Sequence, residues 1–131
     1  MEQLLAQVER TFGDLANSYK LSIVELGSCE IALRGKKFAI VIFKDRDGVS
    51  LSYIKAEKKG AKEFPLGHFL VTKRLWTASN QPDRIGGELE SYALTLKNSG
   101  QDILMGDESW MKDFTTSAFP VAFKTREALG F

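Results

Sequence analysis

Between residues 21 and 54 the chain repeats one pattern, a short run rich in apolar and β-branched residues followed by a tight turn. The runs are LSIVEL, CEIALR, FAIVIF and VSLSYI. Because the connections are too short for a crossover helix, neighbouring runs must pair as antiparallel strands. FAIVIF is apolar on both faces, which predicts a central strand, whereas CEIALR and VSLSYI alternate. The pattern predicts an antiparallel meander of about four strands.

Helical patterns surround the predicted sheet. An amphipathic helix is predicted before it from one apolar stripe: Leu4, Leu5, Val8, Phe12, Leu15 and Tyr19. After it, PLGHFLVTKRLW predicts a helix that begins at its proline, ELESYALTLKNSG a clearer helix, and QDILMGDESWMKDF one or two helical turns broken at Gly106. KAEKKGAKEF is predicted to be a loop or a fraying strand end, and the apolar residues of the tail to Phe131 predict that it packs down. We expect one α+β domain over residues 1–131, with an N-terminal helix and C-terminal helices on the sheet.

Composition bounds the class of protein. The 131 residues are 44% hydrophobic and 27% charged, as in a globular protein. The longest apolar run, Phe38–Phe43, is far shorter than the roughly 20 residues that span a bilayer. MEQLLAQVER has no long apolar region, so no signal peptide is expected. The single cysteine, Cys29, cannot form an internal disulfide, and we expect a cytoplasmic location.

The net charge of +1 hides a strong asymmetry along the chain. From Arg34 to Arg74 there are 11 Lys and Arg against 4 Asp and Glu, while the rest of the chain has 7 basic and 13 acidic residues. A basic middle between acidic flanks is typical of a surface that binds an anionic partner. Charged residues also protect sheet edges and turns from aggregation, and the sequence leaves both interpretations open.

The stretch KDRDGVSLSYI is the one that most resembles a metal site. Calcium loops place aspartates at alternate positions before a glycine, as Asp45 and Asp47 stand here. The third acidic position falls on Val49, however, and the twelfth on Ala56. A hairpin turn that begins at Asp45, with Gly48 in a left-handed conformation, explains the pattern without an ion. We predict a turn here and no metal site.

No catalytic arrangement is evident. His68 is the only histidine, and neither Cys29 nor Ser28 stands in a nucleophile motif. Carboxylates pair at Glu88/Glu90 and Asp107/Glu108, where helix starts favour negative charge in any case. The glycines of RIGGELE form no phosphate-binding motif. We therefore expect no cofactor and no enzyme, the catalytic alternative being a site built from His68 with Asp45 and Asp47.

Nucleic-acid binding is a second alternative. Lysines gather at the predicted strand ends with aromatic residues between them: Lys36, Lys37, Lys55, Lys58, Lys59 and Lys62. A base-stacking platform needs exposed aromatic side chains, whereas the pattern assigns Phe38, Phe43 and Tyr53 to the core. The sequence thus favours at most a weak, salt-sensitive association.

The order of segments LSIVEL, CEIALRGKKFAIVIFKDRDGVSLSYI, FPLGHFLVTKR and GDESWMKDF resembles that of small bacterial toxin-immunity or accessory proteins. The resemblance implies stoichiometric binding to a partner protein, and it carries over no site residues. As the first hypothesis we expect a protein-binding module, in one form an immunity-type inhibitor of a toxin, with an acidic partner surface. The residues predicted to contact it are Arg46, Lys55, Lys58, Lys59 and Lys62. No membrane partner is expected, and the sequence leaves the oligomeric state open.

Overall fold

The computed structural model describes residues 2–114 and 118–131. It confirms the predicted α+β class, with an N-terminal helix, an antiparallel sheet and C-terminal helices, but the sheet has six strands rather than about four. The elements are α1 (Leu4–Ser18), β1 (Ser22–Gly27), β2 (Glu30–Arg34), β3 (Phe38–Asp45), β4 (Gly48–Glu57), β5 (Gly60–Pro65), α2 (Gly67–Lys73), α3 (Arg84–Ser99), α4 (Gln101–Leu104), a 3₁₀ helix (Ser109–Asp113), β6 (Phe119–Pro120) and α5 (Phe123–Leu129). None of the described helices is long and apolar enough to cross a membrane.

The strands lie in chain order, and each pairs antiparallel with the next. The central position predicted for FAIVIF is confirmed, because residues 38–42 of β3 are buried on both faces. One face packs against the helices in the main core, which includes Phe12 of α1, Ile40 of β3 and Leu96 of α3. On the other face Leu129 of α5 packs with small and β-branched residues: Ala32, Ala39, Val41, Ile54 and Ala61. In the described part of the tail Leu129 is buried and Val121 and Phe131 pack partly against this face, whereas Phe119 and Phe123 are 51% and 68% exposed. The prediction that the tail packs down therefore holds for only part of it.

Of the two alternatives predicted for residues 55–64, the loop is wrong and the strand end is correct only for residues 55–57, which continue β4. The β5 strand, which begins at Gly60 after a turn, was not predicted. Ala56 pairs with Ala61 and Tyr53 with Phe64 across this hairpin. Phe64 is the only large apolar side chain in KAEKKGAKEF, so the alternation that marks a strand is hidden among charges. The turn itself repeats an earlier pattern: Glu57–Gly60 has an acidic residue, two more residues and a glycine of positive φ, as Asp45–Gly48 does.

Two helix starts differ from the sequence-based expectation. Pro65 ends β5, and α2 begins two residues later at Gly67. The helix predicted over ELESYALTLKNSG begins earlier than expected, because α3 begins at Arg84 and includes both glycines of RIGGELE. The carboxylate of Asp83 accepts a hydrogen bond from the Gly86 amide at 2.7 Å and caps this helix. The predicted break at Gly106 is found, with φ of +77° between α4 and the 3₁₀ helix.

The polar segment after α2 is held against α3 by a ladder of hydroxyl groups. Alternate main-chain amides of the segment donate to hydroxyls spaced four residues apart on the helix. Four helical residues rise about 6 Å and two extended residues about 6.6 Å, so the two periods match. The pairs are Leu75 N–Ser99 Oγ at 3.1 Å, Thr77 N–Thr95 Oγ1 at 2.9 Å and Ser79 N–Ser91 Oγ at 2.9 Å.

Arg74 joins the end of α2 to the end of α3 and to α4. Its guanidinium donates to both carboxylate oxygens of Asp102, at 2.7 and 2.8 Å, and to the Ser99 carbonyl at 2.7 Å. These hydrogen bonds hold the pKa of Asp102 below its usual range, although partial burial opposes the shift. Such bidentate, charge-assisted pairs are among the stronger polar contacts in proteins.

Asp102→Asn is expected to lower the free energy of unfolding by about 1–3 kcal/mol at pH 7, because it removes a charged hydrogen-bond partner from Arg74. A depressed carboxyl pKa stabilises the fold above the unfolded pKa of about 4, and this contribution is lost as pH falls through the folded value. The difference between the two proteins in urea unfolding should therefore shrink below about pH 4. Asp14→Asn, at an exposed position of α1, is the control and should cost less than about 0.5 kcal/mol. A constant difference from pH 7 to pH 3 would contradict the assigned ion pair.

Candidate binding site

The DRDG stretch forms the hairpin turn that the sequence predicts. Asp45 Oδ1 accepts a hydrogen bond from the Asp47 amide at 2.8 Å, and Gly48 has φ of +129°. The tip is fixed to the start of α3, because Glu88 Oε2 accepts from the Val49 amide at 2.6 Å and Arg84 donates to the Asp47 carbonyl. Residues 2–114 and 118–131 contain no group of three or more His, Cys, Asp or Glu side chains that could hold a metal ion.

The candidate catalytic residues have separate places in the fold. His68 is exposed on the first turn of α2, and its carbonyl accepts a hydrogen bond from Thr72 Oγ1 at 2.8 Å. Cys29 is exposed in the turn between β1 and β2. Asp45 serves its own turn, as its hydrogen bond shows. Of these side chains, Asp45 thus has a structural role in its own turn.

A meander sends alternate turns to opposite ends of its sheet. The turns after β1 and β3 lie at one end, and the turns after β2 and β4 lie at the other. We call the second end the basic end, because cationic residues from three separate segments meet there. They are Lys20 before β1, Arg34, Lys36 and Lys37 between β2 and β3, and Lys58 and Lys59 between β4 and β5.

The five predicted partner-binding residues do not form one surface. Lys58 and Lys59 form the turn at the basic end and are exposed. Arg46 lies in the turn at the opposite end of the ten-residue strand β4, roughly 30 Å away at about 3.3 Å per residue. The set therefore divides between the two ends of the sheet.

Lys55 and Lys62 lie opposite each other on β4 and β5, two residues in from the turn. Lys62 is exposed, whereas Lys55 is half-buried and pairs with Glu108 at 3.4 Å. Glu108 also accepts a hydrogen bond from the Tyr53 hydroxyl at 3.4 Å. Burial, and next the charge of Glu108, raise the pKa of Tyr53, so this hydroxyl remains protonated and can donate. Lys55 therefore already has an anionic partner inside the fold.

The basic end contains a cavity of about 650 Å³. Five cationic side chains line it, and Glu57 is the one carboxylate side chain among its described lining residues. The lining residues are Lys20, Ser22, Arg34, Gly35, Lys36, Lys37, Ala56, Glu57, Lys58, Gly130 and Phe131. Its volume lies within the range of small-ligand sites, and its charge favours an anionic group.

Lys20 lines this cavity from an unusual backbone conformation, with φ of +57°. It follows α1, where the Leu21 amide donates to the Ala16 carbonyl at 2.8 Å and the Lys20 amide donates to the Asn17 carbonyl at 3.3 Å. These two bonds define a Schellman helix end, whose left-handed residue is usually glycine or asparagine. A lysine there costs about 1–2 kcal/mol in local conformation.

Lys37, on the β2–β3 turn, shares this conformation with φ of +63°. The Gly35 amide donates to the Phe38 carbonyl at 2.9 Å and closes the turn, and the Ala56 amide donates to the Lys37 carbonyl at 3.0 Å. Lys20 and Lys37 are the two non-glycine residues with positive φ in the described chain. Both of them line the basic cavity.

Arg34 forms part of the same wall and also anchors the end of α5. Its Nε donates to the Leu129 carbonyl, and its guanidinium carbon lies 5.6 Å from the centroid of the Phe131 ring. Arg34 is thus partly engaged by the fold, and the lysines of the cavity carry the remaining positive charge.

The aromatic residues between the lysines are not available for base stacking. Phe38 is 6% exposed and Tyr53 is fully buried, as their pattern predicts. Phe43 differs from the prediction, because it is 40% exposed. It stands near the end of β3 that is remote from the basic end, so it cannot serve as a stacking platform beside the lysine cluster.

The prediction of partner-binding residues omitted Lys20 and Arg34, which precede or begin the basic middle. Lys36 and Lys37 belong only to the predicted nucleic-acid contacts. Alternate turns of a meander lie at the same end of the sheet, so these residues are predicted to lie near Lys58 once β5 is recognised. The signal for β5 is Gly60, the turn glycine that follows Lys59. Without that strand, residues 55–64 had no defined place in the sheet.

Comparisons with protein-family models, with curated proteins and with solved structures give no match. The function of the chain is therefore argued from the geometry and charge of its own surface.

Proposed function

We propose that this protein is a non-catalytic binding module that engages an acidic surface of a partner protein through the basic end of its sheet. The observation that carries the proposal is the meeting of five cationic residues from three chain segments around one cavity: Lys20, Arg34, Lys36, Lys37 and Lys58. Lys59 is exposed next to Lys58 in the same turn and adds to the charge of this end. Each segment alone is unremarkable, since lysines in turns are common.

The positive field of this end has little internal compensation. Among the described residues that line the cavity, Glu57 is the one with an acidic side chain, against five with cationic side chains. Clustered like charges raise the rate at which an oppositely charged partner associates, and salt weakens this attraction. Complementary charge also disfavours partners that carry the wrong sign.

Nucleic acid is the second anionic partner to consider, and the same lysines could contact its phosphates. Phe38 and Tyr53 are buried, so these two aromatic residues cannot supply stacking energy there. Phe131 lines the cavity, but the Arg34 guanidinium already lies over its ring, 5.6 Å from the centroid. Phosphate contacts alone give weak binding without sequence preference. This difference favours a protein partner and defines the comparison to be measured.

Reversal of charge at Lys58 and Lys59 together, to glutamate, is expected to weaken binding to a fluorescein-labelled peptide of ten glutamates by roughly tenfold or more at 20 mM NaCl. The measurement is fluorescence anisotropy at 20 and 300 mM NaCl, and wild-type binding should fall at the higher salt concentration. Arg46→Glu with Lys73→Glu is the matched control, because it makes the same change in net charge at exposed positions that do not line the cavity.

Equal weakening in the two double variants would mean that net charge alone controls binding, and the proposed site would be wrong. Absence of peptide binding by the wild type at 20 mM NaCl would contradict the proposed function. Tighter binding of a labelled single-stranded oligonucleotide than of the peptide would favour the nucleic-acid alternative.

An immunity-type inhibitor of a toxin is the specific form of this proposal, and it rests on the resemblance in the order of sequence segments alone. It requires a stoichiometric complex with one partner. Co-expression with a toxin domain encoded by a neighbouring gene, followed by purification through a tag on the toxin, tests this form. Co-purification of the wild type and loss of the Lys58→Glu, Lys59→Glu variant would support it, whereas equal recovery of both proteins would contradict the role of the basic end.

A further inference from the structure

We propose that the basic cavity receives an extended acidic segment of the partner protein, and that Lys20 and Lys37 are the residues that contact its carboxylates. The inference rests on the proposed function. It specifies which part of the partner, an extended acidic segment, contacts which residues of this chain, Lys20 and Lys37. It differs from a general electrostatic surface, because it assigns contacts to two residues that lie in one cavity but on different segments.

The backbone of both lysines is the observation that separates them from the other cations. Lys20 has φ of +57° and Lys37 has φ of +63°, at turn positions where glycine or asparagine is the usual residue. A local preference for turn formation would place asparagine at either position. Non-glycine residues in left-handed backbone cost conformational energy and cluster at functional sites, which points to the side chains of Lys20 and Lys37.

Main-chain hydrogen bonds fix the cavity wall that carries Lys37. The Ala56 amide donates to the Lys37 carbonyl at 3.0 Å, which ties the β2–β3 turn to the end of β4. Lys20 is fixed by its Schellman hydrogen bonds, and the adjacent Leu21 is buried. A preformed site binds without a further cost for ordering its backbone.

The shape and charge of the site favour a peptide over a compact ion or a duplex. A cavity of about 650 Å³ is far larger than a single carboxylate needs, and its lysines come from three separate chain segments. Lysine ammonium groups act as flexible point charges, which suit successive carboxylates along an extended chain. Glu57, which also lines the cavity, repels carboxylates that lie next to it and so restricts where they can bind.

Lys20→Asn and Lys37→Asn test the inference, because asparagine removes the charge and is better suited to left-handed backbone. Each variant is expected to bind the labelled peptide of ten glutamates about three- to tenfold more weakly at 20 mM NaCl. Each should also melt at a temperature roughly 2–5 °C higher than the wild type, since strain is relieved. Arg46→Asn is the matched control in a turn at the other end of the sheet, and its binding should equal that of the wild type.

Unchanged affinity in both lysine variants, while Lys58→Glu with Lys59→Glu still loses binding, would overturn this inference and leave the proposed function standing. Loss of binding together with a lowered melting temperature would assign the two lysines a structural role and would also overturn it. No peptide binding by the wild type would remove the proposed function, and the inference with it.

Discussion

Trp110→Ala is expected to lower the free energy of unfolding by about 3–5 kcal/mol, the range for large aromatic truncations in a core. Trp110 is 2% exposed in the 3₁₀ helix. Aromatic rings from three other parts of the fold surround it, at centroid distances of 5.1 Å for Tyr53, 5.7 Å for Phe64 and 5.5 Å for Phe69. Its removal would leave a void between the sheet and α2. Urea unfolding followed by far-ultraviolet circular dichroism measures the loss.

Trp76→Ala is the matched control for this prediction. Trp76 is 39% exposed and makes an edge-to-face contact with Tyr92, with centroids 5.4 Å apart. Its truncation should cost only about 1 kcal/mol, the value of one aromatic pair. Comparable losses in the two variants would show that Trp110 does not hold the sheet and α2 together.

Gly48→Ala is expected to lower the free energy of unfolding by about 2–4 kcal/mol, and the added Cβ atom is responsible in two ways. Gly48 has φ of +129°, where a side chain is strained. The added Cβ would also stand 2.5 Å from Oε2 of Glu88, the oxygen that accepts the hydrogen bond from the Val49 amide. Alanine would therefore strain the turn and displace the contact that fixes the hairpin to α3. Equilibrium unfolding in urea is the measurement.

Gly13→Ala supplies the opposite expectation for the same chemical change. Gly13 lies inside α1, and a Cβ built there meets nothing within 4 Å. Alanine is the better helix former by about 1 kcal/mol, so this variant should be more stable than the wild type. A stabilised Gly48→Ala protein, or a destabilised Gly13→Ala protein, would contradict the assigned backbone roles.

Strong local patterns account for the parts of the fold that could be predicted. The central β3 is apolar on both faces, and the stripe of α1 has its period of three and four, so both elements are evident in their own residues. The β4–β5 hairpin was missed because β5 is held by main-chain pairing and by one large apolar residue, Phe64. Hydrogen bonds between backbones leave little signal in the side chains.

The candidate site shows the same division between local and distant causes. Lys58 and Lys59 were singled out because they are adjacent in a charged turn. Lys20 was not, because it is separated from them by more than 30 residues and becomes their neighbour only through strand order. Arg46 belongs to the predicted partner-binding residues because it is close to these lysines in sequence, but it lies at the other end of β4.

The sequence by itself determined the α+β class, the antiparallel order of the first four strands and the DRDG turn, because each depends on residues within a few positions of one another. Only the tertiary structure decided which charges share a surface. A strand of ten residues separates its two turns by roughly 30 Å, and alternate turns return to the same end. The basic middle of the chain is thereby divided, and Lys20, Lys37 and Lys58 meet at one cavity.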